Sequence, residues 1–339
     1  HLVWAGDRAA EFEMRLQGKT YMEIMNAGGG IASTVRATRA AAPAELLAQT
    51  HQRAQGMFRY GTTTAEAKSG YGLELKTELA QLEVLLKLDT EGPLEIAPTF
   101  LGAHAVPPEY AGKTDEFTRL VCEHMLPGVK DWWQVHAGSR PQPFVDVFCE
   151  KGAFDLEQTR RLMTAASQLG FQLKAHVDEF ENLGGARLAG EMGAISVDHA
   201  VKTSIAEIKA LGSSSTVIVS LPCTPFGLAE QQYSPAKEML AADCLLSLAT
   251  DLNPGTAWCE SMQFVMALAC RYLKLTPAQA LAASTINAAA AIGRQERIGS
   301  LEVGKQADLL ILSVEDYRHL GYRFGGNLVE TVVKKGLVC

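Results

Sequence analysis

Short apolar segments alternate with longer amphipathic segments along most of the chain. Many of the apolar segments are of strand length and end in a glycine, a proline or a polar residue. Segment 75–86 instead carries leucines at helical spacing and predicts an amphipathic helix. The predicted strands are 61–64, 96–101, 144–149, 173–177, 194–197, 216–221 and 245–249.

A strand followed by a helix, repeated at this spacing, predicts a parallel sheet. Polar residues stand at the carboxyl ends of successive predicted strands, which is the layout of a (β/α)₈ barrel active site. We expect a strand ahead of His1 to complete the eight. An open doubly wound sheet is the alternative, but it would not need His or Asp at nearly every strand end. We therefore predict an α/β fold built on a TIM barrel.

The alternation ends near residue 300. Thr276, Pro277 and Gln279 predict the start of one more helix, because they combine a cap, a proline at the first position and a capping-box glutamine. Segments 307–313 and 328–338 then predict strands outside the alternation. We predict a catalytic barrel domain over 1–300, whose first strand lies before residue 1, and part of a small β domain over 301–339.

Composition excludes some classes of protein. The 339 residues include 38 acidic and 31 basic side chains, a net charge of −7, with no long block of one sign. This argues against binding to nucleic acid or to anionic lipid. No apolar run approaches the length of a membrane span. The 7 cysteines are scattered without a CxxC pair, which favours reduced thiols in a cytoplasmic protein.

Polar residues at the predicted strand ends are the candidates for chemistry. Taken singly, each is better explained as a cap at a strand–helix junction, but several converging on one barrel face favour a site. Nitrogen and carboxylate ligands together suit Zn²⁺ or a similar first-row ion, which lowers the pKa of a bound water toward neutrality. The residues are His1, His104, Glu150, His176, Glu179, His199 and Asp251.

The order His176, His199 and Asp251 at strand ends resembles the metal-dependent amidohydrolase superfamily. Within it, longer motifs resemble the imidazolonepropionases, the cyclic-amide hydrolases of histidine breakdown. They are GDR (6–8), GGGI (28–31), EAKSGYGL (66–73), GAHAVP (102–107), DVFCEKGAFD (146–155), AHVDEF (175–180) and TDLNPGT (250–256). The resemblance extends to the C-terminal GSLEVGKQADLLIL. It implies a TIM barrel of the metal-dependent hydrolase type with a small β domain, assembled as a homodimer.

The resemblance also implies roles for single residues. His1, as the second histidine of the family's HxH motif, would hold one Zn²⁺ or Fe ion per chain together with His176 and Asp251. The implied catalytic residues are Glu179, His199 and Asp251. The implied substrate-binding residues are Arg8, Tyr71, His104, Glu179, Asn253, Gly255 and Thr256.

The implied reaction is hydrolysis of the ring C–N bond of 4-imidazolone-5-propanoate, a small molecule, to N-formimidoyl-L-glutamate by a metal-activated water. A propionate tail suits a cation such as Arg8, and a planar ring suits Tyr71 and His104. The sequence leaves Asp251 and Glu179 open as the group that delivers the proton to nitrogen.

The chain departs from the family pattern in three places. It lacks the first histidine of HxH and the strand before it, and we expect these in a preceding segment rather than a degenerate enzyme. Segment 131–143 is longer than usual, and segment 221–226 follows the pattern only loosely.

Two rival functions are weighed against this one. An aminohydrolase that deaminates a purine or pyrimidine would share His176, His199 and Asp251, but it would act on a neutral base and would not need Arg8. A non-catalytic binding barrel is the other rival, and failure to bind metal would favour it.

Overall fold

The computed structural model describes residues 1–19, 23 and 28–339. Seven parallel strands form one sheet in the order β1 to β7, so each strand pairs with its neighbours along the chain. The sheet curls as in a TIM barrel and confirms the predicted fold class. The strands are β1 (Thr64–Lys68), β2 (Glu95–Ala103), β3 (Phe144–Cys149), β4 (Lys174–Val177), β5 (Ser196–His199), β6 (Val217–Ser220) and β7 (Leu246–Leu248). The eighth strand, expected ahead of His1, stays a prediction.

Helices connect successive strands and cover the outside of the sheet. Those of the described residues are α1 (Ala9–Leu16), α2 (Ile31–Ala40), α3 (Pro43–Arg59), α4 (Leu75–Glu91), α5 (Thr114–Leu120), α6 (Leu126–His136), α7 (Leu156–Gln168), α8 (Gly185–Glu191), α9 (Ile205–Gly212), α10 (Cys223–Gly227), α11 (Ala236–Ala241), α12 (Met262–Tyr272), α13 (Pro277–Ser284), α14 (Ile286–Ala291) and α15 (His319–Tyr322). A 3₁₀ turn (Pro108–Tyr110) and a π turn (Val121–Met125) lie before and after α5. Within the described ranges, no helix is long and apolar enough to cross a membrane.

Local sequence signals account for several helix boundaries. Helix α7 begins after Asp155, whose side chain accepts the Gln158 amide while the Gln158 side chain accepts the Asp155 amide. Helix α13 has the same reciprocal capping between Thr276 and Gln279, with Pro277 in its first turn. These pairs satisfy amide groups that a helix start otherwise leaves free. The predicted start of α13 is confirmed.

The first strand lies later than its β-branched residues predict. The prediction was 61–64, whereas β1 runs from Thr64 to Lys68. Glu66 and Lys68 sit inside the strand because their side chains pair with each other at 2.7 Å. Charged residues in a strand interior look like a loop in the sequence, and only their partners reveal the strand.

A small antiparallel sheet lies after the barrel. It consists of β8 (Leu309–Leu312), β9 (Val329–Lys334) and β10 (Leu337–Val338), in the order β10–β9–β8. The predicted single strand 328–338 is two strands, because Lys335 and Gly336 adopt positive φ (53° and 79°) and turn the chain. The division into two domains at residue 300 stays a prediction.

The first residues of the chain pack into the main core instead of fraying. Leu2, Val3 and Trp4 are at most 2% exposed. Their carbonyl groups accept hydrogen bonds from buried polar side chains: Arg53 donates to Leu2 and Trp4, and Gln81 donates to Val3. This anchoring fixes His1 at the carboxyl end of β1.

Candidate active site

Side chains from the carboxyl ends of several strands meet at one end of the sheet. The ring of His1 lies 4.9 Å from that of Tyr71 and 6.3 Å from that of His176, centroid to centroid. The rings of His176 and His199 are 5.3 Å apart. His104 is 6.3 Å from His176. The structure therefore brings together five of the aromatic residues that the sequence singled out.

The loop after β1 orients two of these histidines. Nδ1 of His1 lies 2.8 Å from the Ser69 carbonyl oxygen, and Nδ1 of His104 lies 2.9 Å from the Gly70 carbonyl oxygen. A carbonyl can only accept, so each Nδ1 carries the proton and each Nε2 is left with a lone pair. Burial and the charge of His176 lower the pKa of His104 to about 3, which keeps this ring neutral.

That loop is held by a buried carboxylate. Glu78, on α4, accepts hydrogen bonds from the amides of Gly70, Gly72 and Leu73 at 2.8–2.9 Å. Tyr71 lies between these amides and is 3% exposed. Burial and the charge of Asp251 raise the pKa of Tyr71 well above its ordinary value, so its hydroxyl remains a hydrogen-bond donor.

His176 is oriented from behind by Asp146. Nδ1 of His176 lies 3.1 Å from the Asp146 carboxylate. Burial alone would lower the pKa of His176, but the charge and hydrogen bond of Asp146 raise it. The contact leaves Nε2 of His176 free for another partner, which is the arrangement of metal-binding histidines backed by a carboxylate.

A cluster of metal-type ligands surrounds this contact. Ligand atoms of Asp146, His176 and Asp198 all lie within 4.8 Å of one another, and all three residues are buried. A cationic side chain already fills the space between the two carboxylates, because the Lys68 ammonium lies 2.6 Å from Asp146 and 2.9 Å from Asp198. Burial alone would lower the pKa of Lys68, but these carboxylates raise it. A metal ion therefore fits better on the Nε2 side of His176.

Glu179 and His199 form a second pair in the site. Oε2 of Glu179 is 3.5 Å from Nε2 of His199. Burial raises the pKa of Glu179, against the charge of His199. Nδ1 of His199 is buried without a hydrogen-bond partner among the described residues, so this ring has a free nitrogen inside the site.

The loop that carries Glu179 is fixed by Glu150. Its carboxylate accepts the amides of Glu179 and Phe180 at 3.1 and 2.9 Å, and also that of Glu181. Glu150 was among the strand-end residues that the sequence singled out. The Glu150 carboxylate accepts hydrogen bonds from backbone amides, so it supports the loop.

Asp251 lies in the loop after β7, in a backbone conformation with φ of 49°. The Thr224 hydroxyl donates to its Oδ2 at 2.5 Å. A cavity of about 600 Å³ opens between β1 and β7 and is lined by His1, Lys68, Asp198 and Asp251 among others. Asp251 and His1 therefore line the same cavity.

The loop after Asp251 is closed by its own side chains. Asn253 accepts the amides of Gly255 and Thr256 at 2.8 and 2.9 Å and donates to the Asp251 carbonyl. The side-chain hydrogen bonds of Asn253 and Thr256 therefore stay within the loop. Gly255 contacts Arg8, whose guanidinium occupies the space where a β-carbon would project.

Several residues that build the site were missed in the sequence. Lys68, Asp146 and Asp198 are buried charges within strands, and Glu78 is a buried charge on a helix. A further buried charge outside the site, Lys174, begins β4 and was missed for the same reason. The available signal was a charged residue inside an otherwise apolar strand, as in FVDVFC and LKAHV. Such a residue is almost never fully buried without a partner, so each one predicts a partner on a neighbouring strand.

Comparison with known proteins places the chain among amidohydrolases. A model described as "Amidohydrolase family" matches residues 33–339. An imidazolonepropionase of Herpetosiphon aurantiacus is 54% identical over 338 residues, 100% of this chain and 79% of that protein. An imidazolonepropionase of Chloroflexus aggregans is 51% identical over 340 residues, 100% of this chain and 80% of that protein. The fold matches a guanine deaminase from C. acetobutylicum with bound guanine (TM-score 0.69, 14% identity, 89% of this chain and 77% of that one).

Proposed function

The chain belongs to the amidohydrolase family and, within it, to the imidazolonepropionases, and from this premise we propose how its site performs the reaction. The enzyme hydrolyses the ring C–N bond of 4-imidazolone-5-propanoate and gives N-formimidoyl-L-glutamate, a step of histidine degradation. The water oxygen bonds to the ring carbonyl carbon, the C–N bond breaks, and the nitrogen takes up a proton.

The observation that supports this proposal best is the cluster of rings around His176. A planar imidazolone would lie against flat partners in a pocket that excludes water. His1 and His104 stack with an interplanar angle of 15°, and Tyr71 meets His104 edge-on at 5.3 Å. Aromatic and imidazole faces of this kind bind planar rings.

The metal ion is assigned to His1, His176 and Asp251, as one Zn²⁺ or Fe ion per chain. Two observations support this assignment. The Nδ1 atom of His1 is hydrogen-bonded to the Ser69 carbonyl, and that of His176 to the Asp146 carboxylate, so the Nε2 atom of each ring can bind a metal. Nitrogen and oxygen ligands are the set that zinc and ferrous ions accept. When bound, such an ion lowers the pKa of a coordinated water to about 7.

Glu179 is assigned to proton transfer. Its raised pKa brings it closer to neutrality than an ordinary glutamate, so it can take a proton and give it up again. His199, whose Nε2 lies 3.5 Å from Oε2 of Glu179, is assigned to stabilise the negative charge that develops on the carbonyl oxygen. Asp251 is the alternative proton carrier, and Glu179 is favoured because its carboxylate contacts His199.

The substrate carboxylate is assigned to Arg8. The Arg8 Nε donates to Glu11 at 2.8 Å, and its Nη1 lies over Gly255. Arg8 is also close enough to Tyr71 for its charge to lower the tyrosine pKa, against burial. Asn253, Gly255 and Thr256 would close this end of the pocket, while Tyr71, His104 and Glu179 contact the ring.

An experiment with Arg8 separates this function from deamination of a neutral base. In the metal-loaded enzyme, Arg8→Leu is expected to raise KM for 4-imidazolone-5-propanoate at least 10-fold, since a charge-assisted hydrogen bond contributes about 1.5–3 kcal/mol. Arg187→Leu, an exposed position on α8, is the control. Ammonia release from guanine or cytosine, unaffected by Arg8→Leu and without imidazolone turnover, would contradict the proposal.

Assembly and location complete the proposal. A homodimer is proposed from the resemblance alone. Cytoplasmic location is supported by the cysteines, which are all free thiols in the described residues.

A further inference from the structure

The Lys68 side chain is the centre of a buried charge cluster. Its ammonium lies 2.7 Å from Glu66, 2.6 Å from Asp146 and 2.9 Å from Asp198. The lysine is 8% exposed, and Asp146 and Asp198 are 1% and 3% exposed. Buried ions are costly unless they are paired and hydrogen-bonded. One ammonium therefore holds carboxylates from three strands, β1, β3 and β5.

Two of these carboxylates face the same nitrogen of the proposed metal ligand. Asp146 contacts Nδ1 of His176 at 3.1 Å, and Asp198 is 4.0 Å from the same atom. The chain of contacts runs from Lys68 to Asp146, then to His176, and ends at the free Nε2. Lys68 forms no hydrogen bond with His176 itself.

We propose that Lys68 is a positioning residue that fixes the ring of His176 through Asp146, and that the metal affinity of the site depends on it. This inference rests on the proposed role of His176. Lys68 acts by geometry: its hydrogen bond to one oxygen of Asp146 sets the rotation of the carboxylate, whose contact with Nδ1 then sets the imidazole plane. Loss of a residue that hydrogen-bonds to a metal ligand commonly lowers metal affinity about 10- to 100-fold.

Repulsion adds to this effect. Asp146 and Asp198 both face Nδ1 of His176, and Lys68 is the cation that contacts both of them. Oδ2 of Asp198 faces Lys68 at 2.9 Å, and Oδ1 of Asp198 has no hydrogen-bond partner among the described residues. Without the ammonium, two buried carboxylates would repel each other across the back of the ring, and Asp146 would turn away from its present contact.

A second buried lysine provides a matched control. Lys174 is 0% exposed and bonds Glu66, Ser196 and the Ala291 carbonyl, at 3.0, 2.9 and 2.7 Å. Like Lys68 it is buried and pairs with Glu66, but it forms no hydrogen bond or ion pair with Asp146. Removing either lysine is expected to cost stability, but only the removal of Lys68 is expected to change metal binding, because only Lys68 contacts Asp146.

The experiment measures Zn²⁺ affinity of the metal-free full-length protein by competition with a chromophoric chelator, alongside thermal denaturation. Lys68→Met is expected to weaken Zn²⁺ binding about 10- to 100-fold, whereas Lys174→Met leaves it unchanged. Asp146→Asn carries the test if Lys68→Met fails to fold. The substitution removes the carboxylate charge and puts an amide NH₂ group that can only donate beside the donors Lys68 and His176, so affinity falls as well.

The outcomes separate this inference from the proposed metal site. His176→Ala is expected to lose Zn²⁺ binding; if it binds as the wild type does, the metal site itself is wrong. If His176→Ala loses binding but Lys68→Met and Asp146→Asn retain it, only the role of Lys68 is overturned. Equal weakening in Lys68→Met and Lys174→Met would also overturn it, because a general loss of stability would then explain both.

Discussion

The imidazole rings of His1 and His104 stack with centroids 4.6 Å apart, although they lie at opposite ends of a long stretch of chain. Both rings take their orientation from consecutive carbonyl groups of one loop, those of Ser69 and Gly70. That loop also carries Tyr71. One short segment thus positions a proposed metal ligand and two residues assigned to the substrate.

Glu78 is predicted to control the geometry of this loop. Glu78→Gln replaces an acceptor of the Gly70, Gly72 and Leu73 amides with a group that also donates. An amide group left unsatisfied in the core costs about 1–3 kcal/mol, and a shift of about 1 Å in the site can cost about 100-fold in rate. For Glu78→Gln we expect reduced stability in urea denaturation and a fall in kcat/KM of about 100-fold.

The control for Glu78 lies on the same helix. Glu83 is exposed and pairs with Lys87. Glu83→Gln is expected to behave as the wild type in both assays. Normal kcat/KM in a folded Glu78→Gln enzyme would show that the loop keeps its position without the carboxylate.

Gly255 is predicted to set the position of Arg8. A β-carbon at residue 255 would clash with the Arg8 guanidinium, the mobile end of a flexible side chain. Gly255 is buried, but the clashing atoms belong to a flexible side chain, so Gly255→Ala should cost about 1 kcal/mol in stability, the typical cost of a point substitution. It should raise KM for the acidic substrate, because Arg8 must move. Gly325→Ala, where a β-carbon meets nothing within 4 Å, is the matched control, and an unchanged KM in Gly255→Ala would argue against carboxylate binding by Arg8.

Proton transfer by Glu179 predicts a pH dependence. Burial raises its pKa above the ordinary value of 4.5, against the charge of His199. The ionised form accepts the proton, so kcat/KM should fall as the pH drops through this raised pKa. Glu179→Gln should lower kcat about 10²- to 10⁴-fold and remove this acidic limb.

The exposed neighbour Glu181, paired with Lys151, gives the control for this profile. Glu181→Gln should keep both the rate and the limb. If Glu179→Gln retained the acidic limb and lost less than about tenfold in kcat, proton transfer would belong to Asp251 instead.

Glu95 is predicted to make stability depend on pH. It lies at the start of β2 and pairs with Arg294 at 2.8 Å, with Arg297, and with Lys334 of β9 at 3.6 Å. Burial would raise the pKa of Glu95, but the hydrogen bond of Arg297 and the charge of Arg294 hold it at about 2. Because the folded-state pKa is lowered from 4.5, this stabilisation is present above pH 4.5 and is lost as the pH falls toward 2.

The test is urea denaturation of Glu95→Gln and the wild type at pH 7 and at about pH 3. At pH 7 the variant should lose about 1–2 kcal/mol, between the values for exposed and fully buried ion pairs, because these side chains are partly exposed. The difference should shrink at the lower pH, since the Glu95 carboxylate of the unfolded chain is protonated below pH 4.5 and unfolding then takes up a proton. A difference that is independent of pH would show that the charge of Glu95 contributes nothing.

The sequence predicts the barrel because its information is local. Strand 144–149 and the caps at Asp155 and Thr276 depend only on neighbouring residues, and the structure reproduces them. Histidines at strand ends also come close in space because parallel strands end at the same side of a sheet. Lys68 could not be assigned in this way, since its role depends on Asp146 and Asp198, which lie on other strands. The position of β1 was misjudged for the same reason.

The most direct test of the account is turnover of 4-imidazolone-5-propanoate by the metal-loaded full-length enzyme, with the product identified by mass spectrometry. We predict conversion to N-formimidoyl-L-glutamate, abolished by a chelator, restored by Zn²⁺ or Fe²⁺, and absent in His176→Ala. Intact substrate after incubation with the folded, metal-loaded enzyme would contradict the account.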